Sequence, residues 1–227
     1  MNFAEGEVLL FDKPYRWTSF DLVKKIRHMV KVKYNYSKLK VGHAGTLDPL
    51  ASGLLIICTG KATKQISTYQ DQEKEYVAGL LLGKTTPSFD LETVYDSEYP
   101  TEHITREMID ATLKSFLGES DQIPPIFSAK FFEGKRAYEY ARKGEEIELK
   151  ASRISISEIE LLEFNMPNIL IRVKCSKGTY IRSLVRDIGV HLNSGACMVS
   201  LRRTAIGGYT INNALSIEEF ENKLALL

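Results

Sequence analysis

The chain has little sulfur and few histidines to work with. Its 227 residues include three cysteines, Cys58, Cys175 and Cys197, far apart and without a CxxC pair. An odd, scattered set excludes a disulfide framework and a cysteine zinc site, and points to a reducing, cytoplasmic compartment. The four histidines, His28, His43, His103 and His191, are dispersed as well, which argues against a histidine-built metal centre. Long apolar runs are also missing. Leu54-Leu55-Ile56-Ile57-Cys58 is too short to cross a bilayer, and the first eight residues carry Glu5 and Glu7 where a secretory leader needs basic residues and then a long apolar block. Thr59-Gly60-Lys61-Ala62-Thr63 shares a fragment with a phosphate-binding loop, but Ala62 stands where Ser or Thr would hold magnesium, and the upstream glycine is misplaced. There is no GxSxG elbow, HExxH helix or GxGxxG turn. Chemistry is left to carboxylates, aromatics and arginines.

One segment is built to present a carboxylate. Val41-Gly42-His43-Ala44-Gly45-Thr46-Leu47-Asp48-Pro49-Leu50-Ala51-Ser52-Gly53 surrounds Asp48 with three glycines, a proline and a histidine. Glycines permit tight turns and close approach by a ligand, and Pro49 biases Asp48 toward an extended backbone. Taken alone, such a loop is equally a solvated turn capped by an Asp. The charge around it adds weight. A net charge of +1 conceals 11 Lys and Arg against 5 Asp and Glu in residues 1–70, then 4 against 12 in 71–121, and 15 against 12 in 122–227. A basic first third beside an aimed carboxylate suits phosphate contacts, with the acidic middle turned away.

Periodicity predicts a short buried strand over Glu7 to Asp12, then a helix from Phe20 to Val30 behind the Thr18-Ser19 cap, with Leu22, Val23, Ile26, Met29 and Val30 on its inner face. Strands are predicted at 53–58, Tyr76 to Leu82, Ile147 to Leu149, Ile154 to Phe164, Ile169 to Cys175 and Gly207 to Ile211. Helices are predicted toward Tyr69, over Thr105 to Leu117, Thr179 to Leu192 and around Ile217 to Leu226. This irregular interleaving favours an α+β fold with a mixed, largely antiparallel sheet flanked by helices and loops over a doubly wound one. With no low-complexity linker, residues 1–227 read as a single domain.

Three further segments supply the remaining chemistry. Glu73-Lys74-Glu75-Tyr76 puts an aromatic at a strand start, where tyrosines commonly pack the ring and wet the hydroxyl. Ser176-Lys177-Gly178-Thr179-Tyr180-Ile181-Arg182 turns through a glycine into a helix; an arginine in a first helical turn opposes the macrodipole and calls for an acidic partner. Leu201-Arg202-Arg203-Thr204 sets two arginines beside an apolar residue.

Read in order, these segments resemble the bacterial TruB-type tRNA pseudouridine synthases over nearly the full length. The matching stretches are Leu9-Leu10-Phe11-Asp12-Lys13-Pro14 with Thr18-Ser19-Phe20-Asp21, Gly42 to Pro49, Gly60 to Lys64, Lys74-Glu75-Tyr76, Leu82-Gly83 with Thr85-Thr86, Pro124-Pro125 with Phe127-Ser128-Ala129, Tyr138 with Ala141-Arg142 and Gly144, Lys177 to Arg182, and Leu201 to Thr204. The resemblance implies the pseudouridine-synthase fold and isomerisation of uridine 55 in the tRNA T-loop, reached by flipping the base out. It also implies no metal or other cofactor, no guide RNA and no obligate protein partner, with the T-arm stem-loop bound by a monomer. Asp48 matches the nucleophile, which attacks ribose C1′ or uracil C6, and Arg182 its ion-pair partner. Tyr76 matches the tyrosine stacked on the flipped uracil, His43 the brace of the vacated stack, and Tyr180 and Leu201 the walls against the base. Residues 122–144 resemble an RNA-binding insertion. Many relatives continue into a C-terminal PUA domain, whereas this sequence ends at Leu227, so affinity is expected to rest on the catalytic domain. Pro87 and Phe89 depart from the small polar or acidic residues usual in the family, so a different local loop shape is expected. Two other readings stand beside this one. A module that folds the tRNA elbow without modifying it would not require Asp48, Tyr76 and Arg182 together, and a guide-dependent synthase would need partner proteins.

Overall fold

A threonine begins the first long helix as expected: the Thr18 side chain accepts from the Asp21 amide while the Asp21 carboxylate accepts from the Thr18 amide, a closed capping box that stabilises a helix start by about 1 kcal/mol. The structure, a computed structural model, describes residues 1–226. In chain order its elements are β1 (Val8–Lys13), α1 (Ser19–Tyr34), β2 (Val41–His43), β3 (Ala51–Thr59), α2 (Ile66–Asp71), β4 (Lys74–Leu82), β5 (Lys84–Thr85), β6 (Ser97–Glu98), α3 (Arg106–Ser115), β7 (Gly118–Gln122), β8 (Phe131–Phe132), β9 (Lys135–Arg136), α4 (Ala137–Ala141), β10 (Ser152–Asn165), β11 (Asn168–Cys175), α5 (Ile181–His191), β12 (Ala196–Ile206), β13 (Tyr209–Thr210) and α6 (Ile217–Ala225). The fold is α+β, and its ladders are largely antiparallel. The chain forms two compact units, one of Met1–Tyr76 with the chain from Leu201 onward, the other of Val77–Ser200.

In the first unit, β3 carries the continuous apolar run because both its faces are covered. Leu55 and Ile57 join Phe3, Phe11, Leu22, Ile26 and Phe220 in one core, beneath α1 and α6. Leu54, Ile56 and Cys58 point the other way, toward Tyr69 and Ile206. β1 and β2 flank β3 antiparallel, with Leu10 opposite Ile56 and His43 opposite Ile57, whereas β12 runs parallel to it, with Leu201 opposite Ala51. In the second unit β4, β11, β10 and β7 are successive neighbours, with β10 antiparallel to both β11 and β7. Ile154, Ile156, Ile171 and Val173 are buried from this sheet, as are Leu184, Val185 and Ile188 from α5.

Two predicted strands are corrected. Ile147–Leu149 is irregular: only Leu149 is buried and no ladder includes it. Gly207 to Ile211 is a glycine turn followed by the two-residue β13, because the long strand lies just upstream, in β12. Among the described residues, no helix is long and apolar enough to cross a membrane.

Candidate active site

Asp48 opens a four-residue turn, the Ala51 amide donating to its carbonyl at 3.0 Å, with Pro49 in the position where a fixed φ favours such a turn. The loop is anchored on both sides. Ser19 Oγ accepts from the Leu47 amide at 2.9 Å and donates to the Leu47 carbonyl at 3.2 Å, while the Arg16 amide donates to the Pro49 carbonyl at 2.8 Å. Leu47 is buried and Asp48 half-buried, so an apolar anchor precedes an accessible carboxylate.

Beneath this loop lie two buried cations that the sequence does not announce. Register sets Lys13, Gly53 and Arg203 abreast on β1, β3 and β12. Gly53 takes φ +106°, and a Cβ there would lie 2.3 Å from the Arg203 carbonyl oxygen, so glycine is what lets β12 lie this close to β3. Arg203 is 1 % exposed; its Nε donates to the Leu54 carbonyl at 2.7 Å and Nη2 to the Gly45 carbonyl at 3.0 Å, tying the strand to the loop that bears Asp48. Its neighbour Arg202 points to the other side and holds Asp12 through two nitrogens, at 3.2 and 2.7 Å.

Lys13 is fully buried, its ammonium donating to the carbonyls of Pro14 and Trp17. Burial pushes its pKa down to about 8; the Asp48 carboxylate opposes that shift and the Arg203 charge adds to it. Because folding lowers this pKa, the unfolded chain binds more protons between about pH 8 and the ordinary lysine value of 10.5, so the contribution of Lys13 to stability rises across that window. The difference in unfolding free energy between the wild type and Lys13→Met is expected to shift by about 3 kcal/mol in favour of the wild type from below to above the window. Urea melts at stepped pH measure it, and a flat difference would show that Lys13 titrates as in the unfolded chain.

His43, Tyr76 and Leu201 also belong to this unit. His43 ends β2, its Nδ1 buried without a hydrogen-bond partner, and burial together with the Arg203 charge holds its pKa below the usual imidazole value. At neutral pH it is therefore an uncharged ring. Tyr76 is half-buried in β4, next to Glu75, whose Oε1 accepts from Thr204 Oγ1 at 2.7 Å. Leu201 is 7 % exposed, opposite Ala51 and so just beyond the Asp48 turn.

The second unit holds Tyr180 and Arg182. Tyr180 is the N-cap residue of α5, fixed by a reciprocal pair: its amide donates to Gln122 Oε1 at 2.8 Å and Gln122 Nε2 donates to its carbonyl at 3.1 Å. Arg182 is buried, with Nη1 donating to the Ser88 carbonyl at 3.3 Å and Nη2 to the Phe127 carbonyl at 2.8 Å. Its Nε lies 3.5 Å from Asp90 Oδ2, both side chains almost wholly buried. The macrodipole argument calls for an acid near this misplaced arginine, and Asp90 is one that nothing in the sequence marks. Phe89 beside it takes φ +63°, a left-handed conformation in the loop where Pro87 and Phe89 depart from the family pattern. Residues 122–144 form the β8–β9 hairpin and α4, with the Arg136 guanidinium 3.7 Å from the centre of the exposed Phe131 ring and that of Arg142 5.3 Å from Tyr138.

Residues 27–181 match the family model described as TruB family pseudouridylate synthase (N terminal domain), and 182–227 that of the tRNA pseudouridylate synthase B C-terminal domain. The chain is 61% identical over 220 residues to a protein of Phocaeicola vulgatus named tRNA pseudouridine synthase B, covering 97% of this chain and 94% of that one. A protein of the same name from Flavobacterium johnsoniae is 53% identical, with 98% of each chain covered. Among solved structures, a chain of a Cbf5-Nop10-Gar1 complex matches with a TM-score of 0.72 at 29% identity, over 97% of this chain but only 54% of its own length.

Proposed function

The chain belongs to the TruB family of pseudouridylate synthases, and from that premise we propose how it converts uridine 55 of the tRNA T-loop to pseudouridine. Asp48 is the nucleophile. The observation that carries this is its placement: a half-buried carboxylate at the start of a turn anchored by Ser19, Arg16 and Arg203, within electrostatic reach of the buried Lys13 ammonium. A carboxylate fixed in this way is held aimed, which is what attack at an electrophilic carbon requires.

The isomerisation breaks the bond from N1 to C1′, rejoins C1′ to C5, and moves the C5 proton out while N1 gains one. Attack of Asp48 on C1′ or on C6 accounts equally for this balance, and either needs the nucleoside everted from its stack. His43 braces the vacated stack as a neutral ring. Tyr76 stacks on the uracil, Tyr180 and Leu201 wall the base, and Arg182 keeps the nucleophile charged. Residues 122–144 grip the T-arm, supported by the exposed Phe131 and Tyr138 and their paired arginines. We place the protein in the cytoplasm, acting alone as a monomer without guide RNA.

The test is incubation of the purified protein with unmodified tRNA and nothing else, with pseudouridine mapped by position. Modification at uridine 55 alone is the expected outcome; binding without modification would leave only an RNA-folding module. In the same assay Tyr76→Phe is expected to keep affinity and lose part of its rate, and Tyr76→Ala to lose both, because a base on an aromatic face contributes about 1–3 kcal/mol. Equal rates for the two variants would assign Tyr76 to the hydroxyl alone.

A further inference from the structure

The segment before α1 and the start of α1 itself place aromatic rings and cations on the surface, and Arg16 among them is one hydrogen bond away from the Asp48 turn. Tyr15 is 52 % exposed and Phe20 53 %. The Arg16 guanidinium lies 5.5 Å from the centre of the Tyr15 ring and the Lys24 ammonium 4.8 Å from that of Phe20, so each ring is paired with a charge. Trp17, between them, is half-buried against the core and fixes the segment, and the Arg16 amide bonds the carbonyl of Pro49, the residue after Asp48.

The backbone makes this arrangement costly. Pro14-Tyr15-Arg16-Trp17 is a turn closed by the Trp17 amide on the Pro14 carbonyl at 3.4 Å, and its third residue, Arg16, takes φ +66°. That is the position glycine fills most readily, so the arginine is held in a strained conformation with its side chain in solvent. Strain kept at an exposed residue marks a side chain with a use. The neighbouring Asp21 carboxylate is committed to the Thr18 cap.

We propose that Tyr15, Arg16, Phe20 and Lys24 form a second RNA-contacting platform, taking nucleotides of the T-arm next to the everted uridine, with bases on the two rings and phosphates on the two cations. The proposal rests on the function given above. It identifies the occupant as RNA because interleaved rings and cations match unstacked bases and their phosphates, and because the Pro49 bond puts the platform beside the reacting nucleoside.

Binding of a T-arm stem-loop and of whole tRNA to the full chain, at several salt concentrations, tests it. Tyr15→Ala and Phe20→Ala are each expected to weaken the dissociation constant about tenfold for both RNAs, with the rate at saturating tRNA unchanged. Arg16→Gly and Lys24→Met should lower the slope of log affinity against log salt by about one each. Arg16→Gly also separates contact from folding. Glycine suits the φ at that position, so the variant should melt no lower than the wild type while binding RNA less well. Four variants that bind like the wild type would overturn the platform, as would a wild-type dimer that Tyr15→Ala and Phe20→Ala dissociate without loss of RNA affinity. A wild type that binds no tRNA would instead overturn the proposed function.

Discussion

Asp48→Asn is expected to fold, bind tRNA with the affinity of the wild type, and make no measurable pseudouridine, a fall in single-turnover rate of roughly 10⁴-fold or more. The amide fills the same volume, so the turn closed by the Ala51 amide and the Ser19 clasp on Leu47 survive. What disappears is the negative charge. Without it no bond forms to C1′ or C6, whichever carbon is attacked, so the experiment is decisive for the nucleophile while indifferent to the site of attack. Loss of that charge also leaves the Lys13 ammonium with less support, since the Asp48 carboxylate acts most strongly of the three acids, with Asp12 and Asp21, that oppose the effect of burial on its pKa. The variant should therefore be less stable than the wild type near neutral pH, and the gap should close as the pH rises to about 8, where Lys13 of the wild type gives up its proton. Product at the wild-type rate would remove Asp48 from the chemistry. A variant that fails to bind RNA would give the carboxylate a structural role instead.

The parts of this site that could be read from sequence are those whose backbone demands are local. Asp48 was legible because glycines and a proline within a few residues dictate a turn, and the Thr18 cap because capping needs only four consecutive residues. The arginine at the head of α5 was legible as a misfit with the helix dipole. Its partner Asp90 was not, because burial beside Asp90, Ser88 and Phe127 brings together segments far apart in the chain. β12 escaped notice for a related reason. Its apolar stretch is interrupted by Arg202 and Arg203, which break the alternation a strand usually shows, and only the carbonyls of Gly45 and Leu54 explain why Arg203 is buried. Lys13 reads in sequence as the polar end of a strand and becomes a buried cation only when Gly53 and Arg203 line up beside it. Conversely, Ile147-Glu148-Leu149 alternates like a strand, but no ladder includes it.

Arg182→Met should be the second most damaging substitution, and pairing it with Asp90→Leu separates its two roles. Removing the guanidinium leaves the Asp90 carboxylate buried without that cation and releases the carbonyls of Ser88 and Phe127, so the single variant is expected to lose about 3–5 kcal/mol of stability. Replacing both members of a buried pair with apolar residues of similar volume is often neutral for folding. The double variant should then recover most of that stability, as read from urea melts. Activity is expected to behave differently. If Arg182 keeps the nucleophile ionised, the double variant stays as inactive as the single one, about 10²-fold or more below the wild type under saturating tRNA, whatever its stability. Asp90→Asn alone keeps Arg182 and most of its hydrogen bonds, so it should lower the rate far less than Arg182→Met if Asp90 only positions the guanidinium. Recovery of activity together with stability in the double variant would confine Arg182 to holding the Ser88 and Phe127 segments in place, and the charge supporting Asp48 would then fall to Lys13 and Arg203.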